Sequence, residues 1–154
     1  SFLYKTPLLI EEGLRRIVKN GLAPTNVEKP QSRSLPNSMG HKVTVNPDIG
    51  VGTPIYTGDV KYKIQTKYWR RADLAQAVFF AVAFNSPRAL VIDFADDKSS
   101  RNGTVAVSTL EVTQICWAIG EGLEPQESRD ALLNEIIVWL ASSSLVFPNR
   151  LSAA

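Results

Sequence analysis

The chain has 154 residues, 44% of them hydrophobic and 21% charged, with a formal net charge of +2. That length predicts a single domain that buries roughly 68–70% of its unfolded surface and needs no staples, and the lone Cys116 excludes an intrachain disulfide. One His and one Cys exclude a closed zinc site of N and S ligands within one chain, and the lack of any apolar run of roughly 18 residues excludes a transmembrane helix.

In chain order, Thr6 as N-cap and Pro7 at the first helical position predict a helix ending at Asn20-Gly21. Ile10, Leu14, Ile17 and Val18 make one apolar stripe along it. Residues 23–41 carry Pro24, Pro30 and Pro36 without periodicity and read as a proline-rich loop or arm. Residues 42–46 read as a short strand, and Pro47-Asp48-Ile49-Gly50-Val51-Gly52-Thr53-Pro54 reads as turn chemistry. From 55 to 69 an apolar face of Val60, Tyr62, Ile64, Thr66 and Tyr68 alternates with Lys61, Lys63, Gln65, Lys67 and Trp69. Asp73 is the expected cap of a helix to about Phe84, with Leu74, Ala77, Val78, Ala81 and Val82 as its stripe. Residues 89–94 and 104–107 are expected to form a strand pair joined by a long polar connection. Ser108-Thr109-Leu110-Glu111 fits a capping box and predicts a helix to about Ile119, and Pro125 opens a last helix through Leu140. The expected fold is a single α+β domain over residues 1–154, with a small, mostly antiparallel sheet packed with about four helices.

Catalytic chemistry is sparse at this level. A triad base would have to be His41, beside Gly40 in the proline-rich segment, where an imidazole is poorly held. Gly50-Val51-Gly52-Thr53-Pro54 lacks the Gly-Lys-Ser/Thr ending of a phosphate loop. Asp93, Asp96 and Asp97 end an apolar strand and could bind Mg²⁺ for phosphoryl chemistry; the plainer reading is a solvated turn. No cofactor or metal is predicted.

Charge distribution is more informative. Residues 1–71 hold 12 Lys/Arg and 5 Asp/Glu, while residues 72–154 hold 5 and 10, so +7 faces −5 within a total of +2. The density peaks at Lys61, Lys63, Lys67, Tyr68, Trp69, Arg70 and Arg71, cations interleaved with aromatics, and Arg15 and Arg16 widen the patch. Cations neutralise phosphates and exposed aromatics stack on bases; an edge strand carrying lysines to prevent aggregation would look the same. The expectation is a non-enzymatic, intracellular, cytoplasmic protein that binds RNA or single-stranded nucleic acid, self-associates as a homo-oligomer and contacts no membrane, such as a structural component of a nucleoprotein assembly. The alternatives are a homo-oligomeric assembly module without nucleic acid, and a Mg²⁺-dependent enzyme using Asp93, Asp96 and Asp97.

Overall fold

The computed structural model describes residues 2–64, 69–95, 103–120 and 122–142. Helix α1 (Phe2–Gly21) is followed by β1 (Val27–Glu28), β2 (Arg33–Pro36), β3 (Lys42–Val45), β4 (Ile49–Val51), β5 (Tyr56–Ile64), α2 (Arg71–Ala83), β6 (Arg88–Ala95), β7 (Gly103–Val107), β8 (Leu110–Ala118) and α3 (Pro125–Ala141). Six strands form one mixed sheet in the order β1-β4-β5-β6-β8-β7, and β2 and β3 form a separate two-stranded ribbon. The centre is parallel, β5 to β6 to β8, and the flanking pairs are antiparallel.

Both faces of the sheet are covered. Leu14 and Val18 of α1 and Leu132, Ile136 and Trp139 of α3 pack on Ile49, Val60, Leu90, Ile92 and Ile115. On the opposite face Ala77 and Ala81 of α2 meet Ala89, Val91 and Val112, with Trp69 at the margin. A sheet covered on both sides needs apolar side chains in both directions, which is why every residue of β6 is buried.

The expected fold class is corrected in two respects. Among the described residues there are three helices rather than about four, and the sheet is mixed with a parallel core rather than small and mostly antiparallel. The segment after Ser108 accounts for the helix count and for one of the two parallel pairings, the other being β5 with β6. The capping box at Ser108 opens no helix; Ser108 has φ of 56° in a tight turn, and residues from Leu110 onward form β8. β8 lies between β6 and β7, so the expected pairing of 89–94 with 104–107 is replaced by parallel β6–β8 and antiparallel β7–β8. The reason is burial on both faces: Leu110, Val112, Ile115 and Cys116 mimic helical spacing because a central strand has no solvated side, and even Glu111 and Gln114 are buried.

Smaller differences follow similar physics. α1 begins ahead of Thr6 and encloses Pro7. Residue Arg70, not Asp73, occupies the N-cap of α2; Asp73 sits in the first turn, where a carboxylate meets the positive end of the helix dipole. The buried stripe of α2 is Asp73, Ala77, Phe80 and Ala81, leaving Val82 and Phe79 exposed. The 23–41 segment contains β1 and β2 rather than loop alone.

Candidate active site

The hairpin of β4 and β5 builds the site. Its register pairs Ile49 with Gly58 and Val51 with Tyr56, which sets Asp48 opposite Asp59 at the open end. The register depends on Gly58. A Cβ there would come within 2.5 Å of Ile49 Cγ2, a branched group close to its own backbone with no room to swing away. Asp59 and Lys61 are two apart on β5 and therefore point to the same face, towards α2.

Two carboxylates directly opposite on paired strands repel one another. Asp59 is almost wholly buried. Asp48 is half-buried, and its carboxylate accepts the Val60 N–H at 2.8 Å. Burial first, then the hydrogen-bonding contact with the Asp59 carboxyl, pushes Asp48 up to about 7, against the pull of the Val60 N–H and the Lys29 charge. The Asp48 carboxyl is thus held in its protonated form well above the ordinary carboxylate range.

Lys61 completes the group. Its Nζ lies 2.5 Å from Asp59 Oδ2, but its aligned hydrogen bond goes to Gln76 Oε1 of α2. Asp59 Oδ2 is thus buried and is held chiefly by the charge of Lys61. Asp73 of α2 lies 3.9 Å from Lys61 and 3.5 Å from Lys63. On the other side Arg15 of α1 donates to the Asp48 carbonyl at 2.9 Å and pairs with Glu11 at 3.9 Å. The Tyr62 hydroxyl donates to the Pro7 carbonyl at 2.7 Å, and burial with the nearby Glu11 raises its pKa.

Of the residues singled out for nucleic acid, Lys61 and Lys63 come together beside α2, where Asp59 and Asp73 partly neutralise them, so their face is not an open cationic ladder. Trp69 packs at the edge of the α2 layer, Arg70 is half-buried and Arg71 is exposed at the start of α2. Arg15 stands against the Asp48 backbone, whereas Arg16 is exposed and pairs with Glu12 along α1. Lys67 and Tyr68 lie outside the described residues, as do Asp96 and Asp97. Asp93 is buried on β6 and accepts from Gln114; burial raises its pKa first, and the Gln114 bond opposes that. Arg88 pairs with Glu111 at 3.8 Å.

Charge density alone passes over Asp48 and Asp59. The available signal was two acids bracketing a glycine-proline turn, with a lysine two residues after the second, on a strand whose alternation aims acid and lysine the same way.

Among the described residues no three His, Cys, Asp or Glu side chains gather as a metal cluster. Two carboxylates are nevertheless a fitting donor set for Mg²⁺, which is commonly held by one or two carboxylates, waters and substrate phosphate oxygens. The all-oxygen donors suit a divalent cation, which would also relieve the repulsion between the apposed acids.

No protein-family model matches the chain, and no curated protein matches it by sequence. Its fold resembles that of a chain in the refined half-complex from a tetradecameric assembly of Thermococcus gammatolerans McrB AAA+ hexamers with bound McrC. The TM-score is 0.63 at 16% identity, over 85% of this chain and 33% of that chain. The present chain thus spans a third of its neighbour's length, and the likeness at this identity is one of fold. No helix among the described residues is long and apolar enough to cross a membrane.

Proposed function

We propose that this chain is a divalent-cation-dependent phosphodiesterase domain acting on nucleic acid. The observation that carries the reading is the convergence of Asp48, Asp59 and Lys61 at the open end of one hairpin. This revises the expectation of a non-enzymatic binder and relocates the Mg²⁺ alternative from Asp93, Asp96 and Asp97 to a different pair of acids. The basic balance of residues 1–71 supports a polyanionic substrate.

Asp48 and Asp59 would hold the cation. When bound, it supplies charge neutralisation for the phosphate and a more acidic water. Asp59 positions Lys61 through their ion pair, and Gln76 fixes the ammonium from α2. Lys61 then presents N–H donors to the phosphate oxygens, where negative charge grows as the reaction proceeds. A bond forms from water oxygen to phosphorus, the bond to the leaving oxygen breaks, and the water's proton passes to solvent.

The neighbour's assembly includes AAA+ hexamers. The loop at Gly50–Pro54 lacks a phosphate-loop ending, so nucleotide hydrolysis is not part of this reading. Membership of an assembly, together with exposed Phe79 and Val82 on α2 and Ile137 and Val138 on α3, supports association with further copies or partner chains.

The test is cleavage of labelled single- and double-stranded DNA and RNA with and without Mg²⁺. Asp59→Asn and Lys61→Met are each expected to lower the rate by about 10²-fold or more while leaving binding measurable. Retention of nucleic acid without Mg²⁺-dependent cleavage would restore the non-enzymatic reading, and failure to retain it at low salt would favour the assembly module.

A further inference from the structure

The β2–β3 ribbon is the element that the site leaves unexplained. It belongs to neither layer of the main sheet. Arg33 pairs with Val45 and Pro36 with Lys42, so the ribbon projects as an antiparallel hairpin closed over residues 37–41. Its root is clamped: Val45 is fully buried, and Arg33 donates to the Ala83 carbonyl at 2.8 Å while its guanidinium lies 4.4 Å over the Phe84 ring. Its tip is ordered by its own polar groups. The Asn37 side chain accepts the N–H groups of both Met39 and His41 at 2.9 Å, and Gly40 takes φ of 78°.

An ordered tip with a clamped root would ordinarily carry a bland polar surface. This one exposes Met39 at 78% and Val43 at 47%, beside exposed His41 and Lys42. Residues 29–47 contain Lys29, Arg33 and Lys42 and no acid. The ribbon leads straight into the site, because β3 ends three residues before Asp48.

We infer that the β2–β3 ribbon docks duplex DNA, lying in the major groove and holding the backbone phosphate at Asp48 and Asp59. The inference rests on the phosphodiesterase reading and supplies its substrate. A two-stranded ribbon fits the B-form major groove, about 12 Å wide. The deep, narrow major groove of A-form RNA does not admit it. Lys42 is six residues from Asp48, so the chain between them spans at most ~20 Å. Against roughly 34 Å per turn of duplex, Lys42 lies no more than about 0.6 of a turn to one side of the cut. Lys42 meets a phosphate, and Met39 and Val43 offer apolar contact of the kind that suits thymine methyl groups.

The experiment measures binding of a short labelled DNA duplex across a salt series, with Ca²⁺ replacing Mg²⁺, for the wild type, Lys42→Gln and Met39→Ala. An RNA duplex of the same sequence runs alongside, and unchanged thermal midpoints verify the fold of the exposed-site variants. Lys42→Gln should lower the magnitude of the log–log salt slope by about 0.9, the value for one lost duplex contact. Met39→Ala should weaken binding with the slope unchanged. Neither should alter the weaker binding to RNA. Wild-type affinity and slope in both variants would overturn the ribbon assignment, as would equal sensitivity with RNA. Those outcomes leave Mg²⁺-dependent cleavage, and its loss in Asp59→Asn, standing by themselves. Ribbon-dependent DNA binding without cleavage would instead remove the phosphodiesterase reading and keep the docking surface.

Discussion

At the scale of single residues, Asp48 has the most distinctive titration. Its folded pKa of about 7 stands above the ordinary 3.8, so the folded chain binds this proton more tightly than the unfolded one. Stability from this group is therefore greatest at low pH and declines as pH rises from about 4 to about 7. Asp48→Asn lacks that decline. It should match the wild type near pH 4 and exceed it near pH 8 by roughly 1–2 kcal/mol, after discounting for partial exposure. Mg²⁺ should reverse the comparison at pH 8, raising the wild-type midpoint by an amount equivalent to about 2.7 kcal/mol at a hundredfold excess over its dissociation constant, and leaving Asp48→Asn nearly unmoved. Thermal unfolding at several pH values checks both signs; an equal Mg²⁺ shift in the two proteins would remove the cation from Asp48. Gly58 gives a second residue-scale prediction. Gly58→Val pushes a branched side chain against Ile49, so it should cost about 1–3 kcal/mol by overpacking, and cleavage should fall with it because the register that opposes Asp48 to Asp59 is disturbed.

At the scale of elements, β8 decides the topology. Its strand character predicts that Ile115→Ala, at a fully buried central position, costs about 2–5 kcal/mol. Val138→Ala on the exposed side of α3 should stay within about 0.5 kcal/mol. Denaturant unfolding distinguishes the two, and comparable small effects would contradict burial of β8 between β6 and α3. Elements with a clear apolar period were legible in the sequence: α1 shows its Leu14 and Val18 stripe, and β5 alternates Val60 and Tyr62 with Lys61 and Lys63 although α2 covers the lysine side. β8 was not, because both of its faces are covered and the alternation that marks a strand is absent.

At the scale of the whole molecule, the exposed apolar residues of α2 and α3 bear on association. Phe79 and Val82 project from α2 at 42% and 63% exposure on the side away from the sheet. If copies associate through that side, sedimentation at micromolar concentration should show a species larger than 16.9 kDa, and Phe79→Ser with Val82→Ser should return it to the monomer. A wild type that sediments as a monomer throughout would end the homo-oligomer proposal. The sequence by itself determined the charge asymmetry, the basic–aromatic density at 61–71, and the helices and strands with a clear apolar period. These are local properties, written in composition and in periods of two or 3.6 residues. Only the tertiary structure decided which acids come together. Asp48 and Asp59 are separated by a turn, and whether they oppose each other depends on a register fixed by the fit of Gly58 against Ile49. Lys61 reads as one solvated cation in a ladder until α2 folds over it and supplies Gln76 and Asp73. The proposed constellation is a product of packing between distant segments, and no local pattern encodes that.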